Sequence, residues 1–338
     1  MKAVRFHQHG EVDVLRFEDA PDPPPEPGYA IVRVRACALN HLDLWERRGL
    51  ERIAFPMPHI SGSDVAGEVL EAEGIASGTR VMLQPGVSCG RCPYCVSNRD
   101  NLCSGFSPLG YMTDGGYAER VKVPLTNLIP LPPHVDFVHA AAFPLTFLTA
   151  WHMLVTLARV RPGEDVLVLA AGSGVGQAAI QIARFLGARV IATAGSDEKL
   201  ARAREIGAAD AINHSTGPFV VEVRRLTHGR GVDVVVEHVG QATWEQSVRS
   251  LARGGRLVTC GATTGSAGSI DLRHLFARQL SLLGSYMGAK GELLEASHLF
   301  FSGQLAPVVD RTFPLSDAAQ AQLRLERREQ FGKIVLEV

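Results

Sequence analysis

The hydrophobic and polar positions follow two different patterns along the chain. Up to about residue 130, short apolar runs separated by turn residues predict strands over 1–6, 29–38, 64–73, 79–84 and 117–124. Prolines at 21, 23, 24, 25 and 27 and frequent glycines interrupt the chain between these runs. The pattern predicts a small β-rich barrel into which residues 86–104 are inserted as a loop.

Beyond about residue 140, strands alternate with helices. The sequence predicts helices over 140–157, 175–186, 198–206 and 243–251. Continuous apolar runs predict strands buried on both faces over 166–169, 189–194, 232–237 and 256–260. This alternation predicts a parallel, doubly wound sheet, so the fold class is α/β. The closing segment, 331–338, predicts one more strand, which need not belong to that sheet.

The composition limits the kind of protein. With 338 residues, two domains are expected. Apolar residues make up 46% of the chain, which is enough to form a hydrophobic core. The formal net charge of −1 gives no electrostatic attraction to nucleic acid or to an anionic membrane. No apolar run reaches the ~20 residues of a membrane span. We expect a cytoplasmic enzyme with a small-molecule substrate and neither nucleic acid nor membrane as partner.

Four cysteines form the most specific chemical motif. Cys89, Cys92, Cys95 and Cys103 follow a Cys-x2-Cys-x2-Cys-x7-Cys spacing, which suits a tetrahedral zinc held by four thiolates. Two disulfides would use the same residues, but two-residue gaps are poor bridge geometry and no signal peptide is recognised. Because four protein ligands leave no position for water, we expect one structural zinc per subunit and no chemistry at it.

A glycine-rich turn follows the first strand of the second pattern. After the apolar run 166–169 come Gly172, Ser173, Gly174, Val175 and Gly176, which lead into a helix. Glycines let the backbone approach a pyrophosphate, and the helix N-terminus offers free N–H groups to it. The turn lacks a strict G-x-G-x-x-G, but the strand and helix around it support a dinucleotide site.

The end of the next strand bears on the choice of cofactor. It carries Gly195 and Ser196 where an NAD-binding protein usually has an acidic residue, and Lys199 lies one helical turn further on. A hydroxyl and a nearby cation suit a 2′-phosphate, so NADPH is favoured over NADH. The alternative is that Ser196 caps a helix and Lys199 is solvated, with Asp197 and Glu198 weakening the positive field.

Taken together, these motifs resemble the medium-chain dehydrogenase/reductase superfamily, in particular its zinc-containing alcohol dehydrogenase-like and quinone oxidoreductase-like branches. The resemblance runs through segments 36–43, 62–67, 89–103, 110–119, 144–151, 171–176 and 331–333. It implies a GroES-like catalytic domain over 1–145 and 286–338, with the zinc lobe at 86–104, and a Rossmann domain over 146–285. It also implies a homodimer or homotetramer, with the strand at 280–284 on the pairing edge.

The same resemblance indicates that a catalytic zinc is missing. By motif alignment, Asn40 stands at the position of one zinc-binding cysteine and Ser63 at that of the zinc-binding histidine, and 143–146 offers no third ligand. The resemblance therefore points to Asn40, Asp43 and Asp64 as catalytic candidates, with Asn40 as a hydrogen-bond donor to a developing oxyanion or a clamp on the cofactor. A rival interpretation assembles an unorthodox metal site from His41, His59, Asp43 and Asp64.

The expected activity is hydride transfer from NAD(P)H to an activated acceptor such as a quinone, enone or enal, because no Lewis acid is expected to polarise a simple carbonyl. Two alternatives stay open: a zinc-type alcohol dehydrogenase or aldehyde reductase, and an NADPH-binding protein with little turnover. Beyond the glycine turn and Gly195, Ser196 and Lys199, the resemblance implies further cofactor contacts at His41, Thr149, Val239, Gly240, Gly261, Ala262, Ser285 and Lys333.

Overall fold

The computed structural model describes all 338 residues. The chain forms two compact units, one of residues 1–145 with 289–338 and the other of residues 146–288. Among its helices, none combines the length and the apolar character that crossing a bilayer would require.

The N-terminal part of the first unit is rich in short strands. They are β1 (Lys2–Arg5), β2 (Arg16–Asp19), β3 (Tyr29–Ala38), β4 (Asp64–Glu71), β5 (Arg80–Leu83), β6 (Gly86–Val87), β7 (Ser107–Pro108), β8 (Arg120–Pro124) and β9 (Leu128–Pro130). The helices of this region are α1 (His41–Arg48), α2 (Pro93–Val96) and α3 (Phe137–Ala142). Helix α4 (Pro144–Trp151) begins in the first unit and ends in the second, where a π-helical segment, His152–Leu157, continues it.

The predicted single helix over 140–157 is wrong in one respect. The structure divides it at Pro144, where α3 has ended and α4 begins. Proline has no backbone N–H and its fixed φ suits the first position of a helix, so it starts α4 rather than continuing α3.

The second unit is a parallel sheet with helices between its strands. Its elements are β10 (Asp165–Val168), α5 (Gly174–Phe185), β11 (Arg189–Ala194), α6 (Asp197–Glu205), β12 (Asp210–Asn213), α7 (Phe219–Leu226), β13 (Val232–Glu237), α8 (Trp244–Ser250), β14 (Leu251–Thr259), α9 (Leu272–Ala277) and β15 (Ser281–Gly284). The strand order is β12-β11-β10-β13-β14-β15 and every pairing is parallel. The predicted α/β class with a doubly wound sheet is confirmed.

The chain then returns to the first unit with α10 (Lys290–Phe301), β16 (Val309–Pro314), α11 (Ala318–Glu326) and β17 (Lys333–Glu337). The closing strand β17 runs antiparallel to β3, with Val335 opposite Ala38. Its sheet has the order β16-β17-β3-β4-β5-β9, with β8 also paired to β3. This pairing brings Lys333, at the start of β17, close to the end of β3, which lies two residues before Asn40.

Candidate active site and zinc lobe

The four cysteines converge on one point. Their sulfur atoms all lie within 4.8 Å of one another, with 3.5 Å between Cys92 and Cys95 and 3.8 Å between Cys89 and Cys95. Four sulfurs each about 2.3 Å from a tetrahedral zinc would stand about 3.8 Å apart, so the site fits the ion. All four cysteines are free, which removes the disulfide alternative from this structure. Backbone N–H groups of Arg91 and Cys92 lower the pKa of Cys89 to about 6, which favours the thiolate that zinc binds.

The zinc lobe also caps a helix. The Lys290 N–H donates to Asp100 Oδ1 at 2.9 Å and the Gly291 N–H donates to Asn98 Oδ1 at 3.0 Å. Both donors belong to the first turn of α10, whose N-cap residue, Ala289, has no side-chain acceptor of its own. Two residues of the lobe therefore satisfy N–H groups that a helix start leaves without partners.

The glycine turn of the second unit is shaped for a close approach to its backbone. Ser173 is the N-cap of the twelve-residue helix α5, and its Oγ accepts from the Gly176 N–H at 2.8 Å. A Cβ on Gly176 would lie 2.3 Å from the carbonyl oxygen of Ala170, so only glycine fits there. Ala170 itself has a positive φ of 46°, an uncommon conformation for a residue with a side chain. Gly174 and Val175 open α5, where N–H groups have no intrahelical acceptor. These features fit a pyrophosphate.

The other predicted cofactor residues of the second unit follow the carboxyl ends of its strands. Gly195, Ser196 and Lys199 come after β11, Val239 and Gly240 after β13, Gly261 and Ala262 after β14, and Ser285 after β15. Because all these strands are parallel, the residues share one edge of the sheet with the glycine turn. Thr149 lies on α4. The Thr149 and Ser285 hydroxyls are buried and have no hydrogen-bond partner within the chain.

Neither Gly195 nor Ser196, the two residues that follow β11, carries a carboxylate. Ser196 caps α6, with its Oγ 3.4 Å from the Lys199 N–H, and the Asp197 carboxylate accepts from the Asn213 side chain at 2.8 Å. His214, which follows the neighbouring strand β12, lies beside the turn: its Nε2 is 3.3 Å from where a Cβ on Gly195 would stand. No local pattern predicts this position of His214, because only the pairing of β11 with β12 places it there.

In the first unit, five side chains form what we call the buried polar cluster: Asn40, Asp43, Asp64, Tyr117 and Lys333. Lys333 Nζ donates to Asn40 Oδ1 at 2.7 Å and to Asp64 Oδ2 at 2.9 Å. Asn40 Nδ2 donates to the same Asp64 oxygen at 2.9 Å. The Asn40 N–H and the Tyr117 hydroxyl both donate to Asp43 Oδ2, at 2.9 and 2.8 Å. The structure thus brings the three predicted catalytic residues together.

Asp43 is fully buried, and burial raises its pKa to about 6, although the hydrogen bonds from Asn40 and Tyr117 act in the opposite direction. Its other oxygen, Oδ1, has no partner. Asp43 orients the backbone at the start of α1, where Asn40 is the N-cap residue. Asp64 likewise accepts a backbone hydrogen bond at a helix start: its Oδ1 accepts from the N–H of Leu145, in the first turn of α4, at 2.8 Å.

The structure shows how two of the expected site residues are held within the chain. Both amide hydrogens of Asn40, the expected oxyanion donor or cofactor clamp, are directed at acceptors of the chain: Asp64 and, at 3.5 Å, the carbonyl oxygen of Ala38. The ammonium of Lys333 fixes this orientation, because a flipped amide would set two donors against each other. The side chain of Lys333, an expected cofactor contact, is 2% exposed and is held by Asn40 and Asp64.

His41, one of the expected cofactor contacts, carries no positive charge at pH 7. It opens α1 beside Trp45, with their ring centroids 5.1 Å apart. Burial, together with the positive charges of Arg328 and Arg48, lowers the pKa of His41 to about 4. The imidazole is therefore neutral at pH 7, so His41 can offer an N–H group to a cofactor phosphate but not a positive charge.

The side chains of His41, His59, Asp43 and Asp64, the residues of the rival metal site, do not converge on one point. The only group of three or more histidine, cysteine, aspartate or glutamate side chains whose ligand atoms converge is the four-cysteine lobe. His59 Nε2 lies 2.7 Å from the carbonyl oxygen of Gly110, and both Asp64 oxygens already accept hydrogen bonds. Asn40, Ser63 and a carboxylate paired with an ammonium are a poor donor set for zinc.

Comparison with known proteins agrees with this architecture. Residues 26–133 match the alcohol dehydrogenase GroES-like domain and residues 174–302 match the zinc-binding dehydrogenase family. The chain is 32% identical to a 2-haloacrylate reductase of Burkholderia sp over 99% of this chain and 98% of the relative, and 29% identical to a quinone oxidoreductase of Rattus norvegicus over 99% and 97%. The crystal structure of an NAD-dependent alcohol dehydrogenase superposes with a TM-score of 0.96 at 47% identity, with both chains covered completely.

A GroES-like domain joined to a parallel-sheet nucleotide-binding unit defines a class of nicotinamide-dependent oxidoreductases. The chain belongs to the medium-chain dehydrogenase/reductase superfamily, with alcohol dehydrogenases and quinone oxidoreductases among its relatives. It is an NAD(P)-dependent oxidoreductase with a small-molecule substrate and a zinc-binding lobe.

Proposed function

We propose that this protein transfers a hydride from NADPH to an activated acceptor, a quinone, an enone or an enal, without a catalytic zinc. The observation that carries the proposal is the ammonium of Lys333, held between Asn40 and Asp64. Asn40 stands where the resemblance puts a zinc-binding cysteine, so the buried ammonium lies next to one position that zinc-dependent members use for the metal. A +1 charge is a weaker electrophile than Zn²⁺, which restricts the chemistry to acceptors that are already electron-poor.

The role of each unit follows from its residues. When bound, the reduced nicotinamide supplies the hydride. The glycine turn at 172–176 holds the pyrophosphate with backbone N–H groups, and the hydroxyls of Thr149 and Ser285 hydrogen-bond to the cofactor. The buried polar cluster of the first unit contributes fixed hydrogen bonds and a buried positive charge. The name of the Burkholderia relative supports this acceptor class, since a 2-haloacrylate carries a double bond conjugated to a carboxylate.

The decisive experiment combines metal content with an acceptor panel. Zinc per subunit is measured on protein purified without added metal, and oxidation of NADPH is followed with a quinone, an enone, an enal and a saturated aldehyde. One zinc per subunit with turnover of conjugated acceptors alone supports the proposal. Two zincs per subunit together with saturated aldehyde reduction would make the protein a zinc-type alcohol dehydrogenase. Tight NADPH binding without turnover of any acceptor would make it a nucleotide-binding protein.

We also propose NADPH rather than NADH, from the missing acid after β11 and the presence of Ser196, Lys199 and His214. The 47% identical structure is that of an NAD-dependent alcohol dehydrogenase, and the two cofactors can be distinguished by mutation. Lys199→Ala is expected to raise the KM for NADPH about tenfold or more and to leave that for NADH unchanged, because only NADPH carries the 2′-phosphate. Arg204→Ala, at the far end of α6, is the control. Equal effects of Lys199→Ala on both cofactors would reject the assignment.

We infer that the zinc of the four-cysteine lobe is structural, because four thiolates close the coordination sphere. Reduced thiolates of this kind are kept in a reducing compartment, which supports a cytoplasmic location. Chelation is expected to remove this zinc while the affinity for NADPH is retained. Loss of NADPH binding in parallel with zinc would contradict a purely structural role.

For assembly, we propose a homodimer formed through β15. This strand ends its sheet, so its outer backbone groups are unpaired. The preceding helix α9 exposes Leu272 and Phe276, at 66% and 69%. A second copy would extend the sheet and cover both side chains. Phe276→Asp is expected to shift the molecular mass in analytical ultracentrifugation toward the monomer. A tetramer that persists in this variant would place the interface elsewhere.

A further inference from the structure

The strand order of the second unit defines a crevice within that unit. The chain runs from β10 to β11 and β12 on one side, and it then returns to β13 on the other side of β10. In open parallel sheets, ligands bind outside the carboxyl ends of the strands at the point where the strand order reverses. That point lies between β10 and β13, which pair with Val168 opposite Val236. The residues that follow these two strands therefore flank the crevice.

One hydrogen bond between side chains joins the two turns that flank the crevice. Ser173, in the glycine turn after β10, has its Oγ 2.9 Å from Nε2 of His238, the residue that follows β13. The turn after β13 is held in place, because the buried carboxylate of Glu237 accepts from the N–H groups of Val239 and Gly240, each at 3.0 Å. His238 was not predicted as a cofactor contact.

The hydroxyl group of Ser173 can make three hydrogen bonds, one as a donor and two as an acceptor. It accepts from the Gly176 N–H at 2.8 Å. If Nε2 of His238 carries a hydrogen, the contact with His238 uses the second acceptor position, and the hydroxyl hydrogen stays available to a ligand. If Nε2 carries none, the hydroxyl donates to the imidazole and has no hydrogen left. Only the first arrangement offers a donor to a pyrophosphate, whose ionised oxygen atoms are acceptors.

We propose that His238 is a positioning residue for the nicotinamide cofactor: its Nε2–H donates to Ser173 Oγ and so directs the Ser173 hydroxyl to the pyrophosphate. This inference rests on the cofactor site proposed for the glycine turn and deepens it. A hydroxyl that is oriented before binding loses less rotational freedom when the cofactor binds. Because NADPH and NADH carry the same pyrophosphate, His238 affects the affinity for both equally.

The test is a double-mutant cycle of His238→Leu and Ser173→Ala. Dissociation constants for NADP⁺ and NAD⁺ are measured by isothermal titration calorimetry, and the unfolding temperature shows that each variant is folded. In the parent background, His238→Leu is expected to weaken binding of both nucleotides by the same factor, about 3- to 12-fold, as on loss of one hydrogen bond. In the Ser173→Ala background it is expected to have no further effect, since the group that it positions is absent.

Two more variants serve as matched controls. His238→Gln keeps an N–H donor near the place of Nε2 and is expected to bind both nucleotides within about twofold of the parent. His298→Leu makes the same change as His238→Leu on an exposed position of α10, in the first unit, and is expected to leave both dissociation constants unchanged. The cycle itself cancels the loss of the α5 cap that Ser173→Ala causes.

The tautomer of His238 is read directly by ¹⁵N NMR of histidine-labelled protein. The signals of His238 are assigned by their absence in His238→Gln. In the NADP⁺-loaded parent protein, Nε2 is expected to carry a hydrogen. An Nε2 without hydrogen would overturn the proposal, because the Ser173 hydroxyl would then be committed to the imidazole.

The cycle can also overturn the proposal. Equal losses of affinity from His238→Leu in both backgrounds would show that the imidazole contacts the cofactor directly and not through Ser173. Full affinity in the folded His238→Leu variant would remove His238 from the site and leave the glycine turn in place. A parent protein that binds neither nucleotide would reject the cofactor site together with this inference. Because no hydride acceptor enters the experiment, the result does not depend on which acceptor the enzyme reduces.

Discussion

The first turn of α10 depends on the zinc lobe, and this dependence can be measured. Asp100→Ala removes the acceptor of the Lys290 N–H, and Asn98→Ala removes that of the Gly291 N–H. A lost N-terminal cap costs about 1 kcal/mol, and the charge of Asp100 near the helix start adds about 0.3–1 kcal/mol. We therefore expect the double variant to destabilise this turn by about 2–3 kcal/mol.

Hydrogen exchange of the amides at 290–293 measures the effect locally. A change of 2–3 kcal/mol corresponds to exchange that is about 30- to 150-fold faster. Because the four thiolates hold the lobe through the metal, chelation of zinc is expected to accelerate exchange at the same amides to a similar extent in the parent protein. In the double variant chelation should add little there, since the connection is already lost.

Asp136→Ala is the matched control. Asp136 caps α3, where its Oδ1 accepts from the His139 N–H at 2.9 Å, so its loss should affect exchange at 137–140 and not at 290–293. Unchanged protection of 290–293 in the Asn98→Ala/Asp100→Ala variant would refute the capping role. Acceleration by chelation that is equally large in the double variant would show that zinc acts on α10 by another route.

Three further predictions concern the two units. Burial raises the pKa of Asp43 from 3.8 to about 6, so the folded chain retains a proton between these pH values that the unfolded chain releases. The contribution of Asp43 to the free energy of unfolding thus falls as pH rises through this window, by up to about 3 kcal/mol. Urea denaturation from pH 4 to 7 should therefore show that the free energy of unfolding depends less on pH in Asp43→Asn than in the parent. The same pH dependence in both proteins would contradict this. Gly176→Ala places a Cβ 2.3 Å from the Ala170 carbonyl oxygen and should weaken NADPH binding at least tenfold, as measured by fluorescence titration, whereas Gly217→Ala, with open space around it, should not. Tyr117→Phe leaves Asp43 with one hydrogen bond fewer and should lower the free energy of unfolding by about 1–2 kcal/mol; no change in urea denaturation would show that this bond contributes nothing.

Much of the fold follows from local patterns. β11 lies over the residues predicted for it, 189–194, and β13 over 232–237, because continuous apolar runs between turn residues have few alternatives to a buried strand. α1, β12 and α7 were not anticipated. They are short segments of mixed polarity, and they are stabilised by neighbours that are distant in sequence, such as the pairing of β12 with β11.

Residue types at short, regular spacing were enough to predict the four-cysteine lobe, the glycine turn and the parallel, doubly wound sheet of the second unit. What Asn40 does depends on contacts that form only in the folded chain. Its amide is committed by Lys333, which is 293 residues further along the chain and reaches Asn40 because β17 pairs with β3. No local pattern encodes that contact, since hydrogen-bond partners of a buried amide are fixed by strand pairing and burial and not by spacing along the chain.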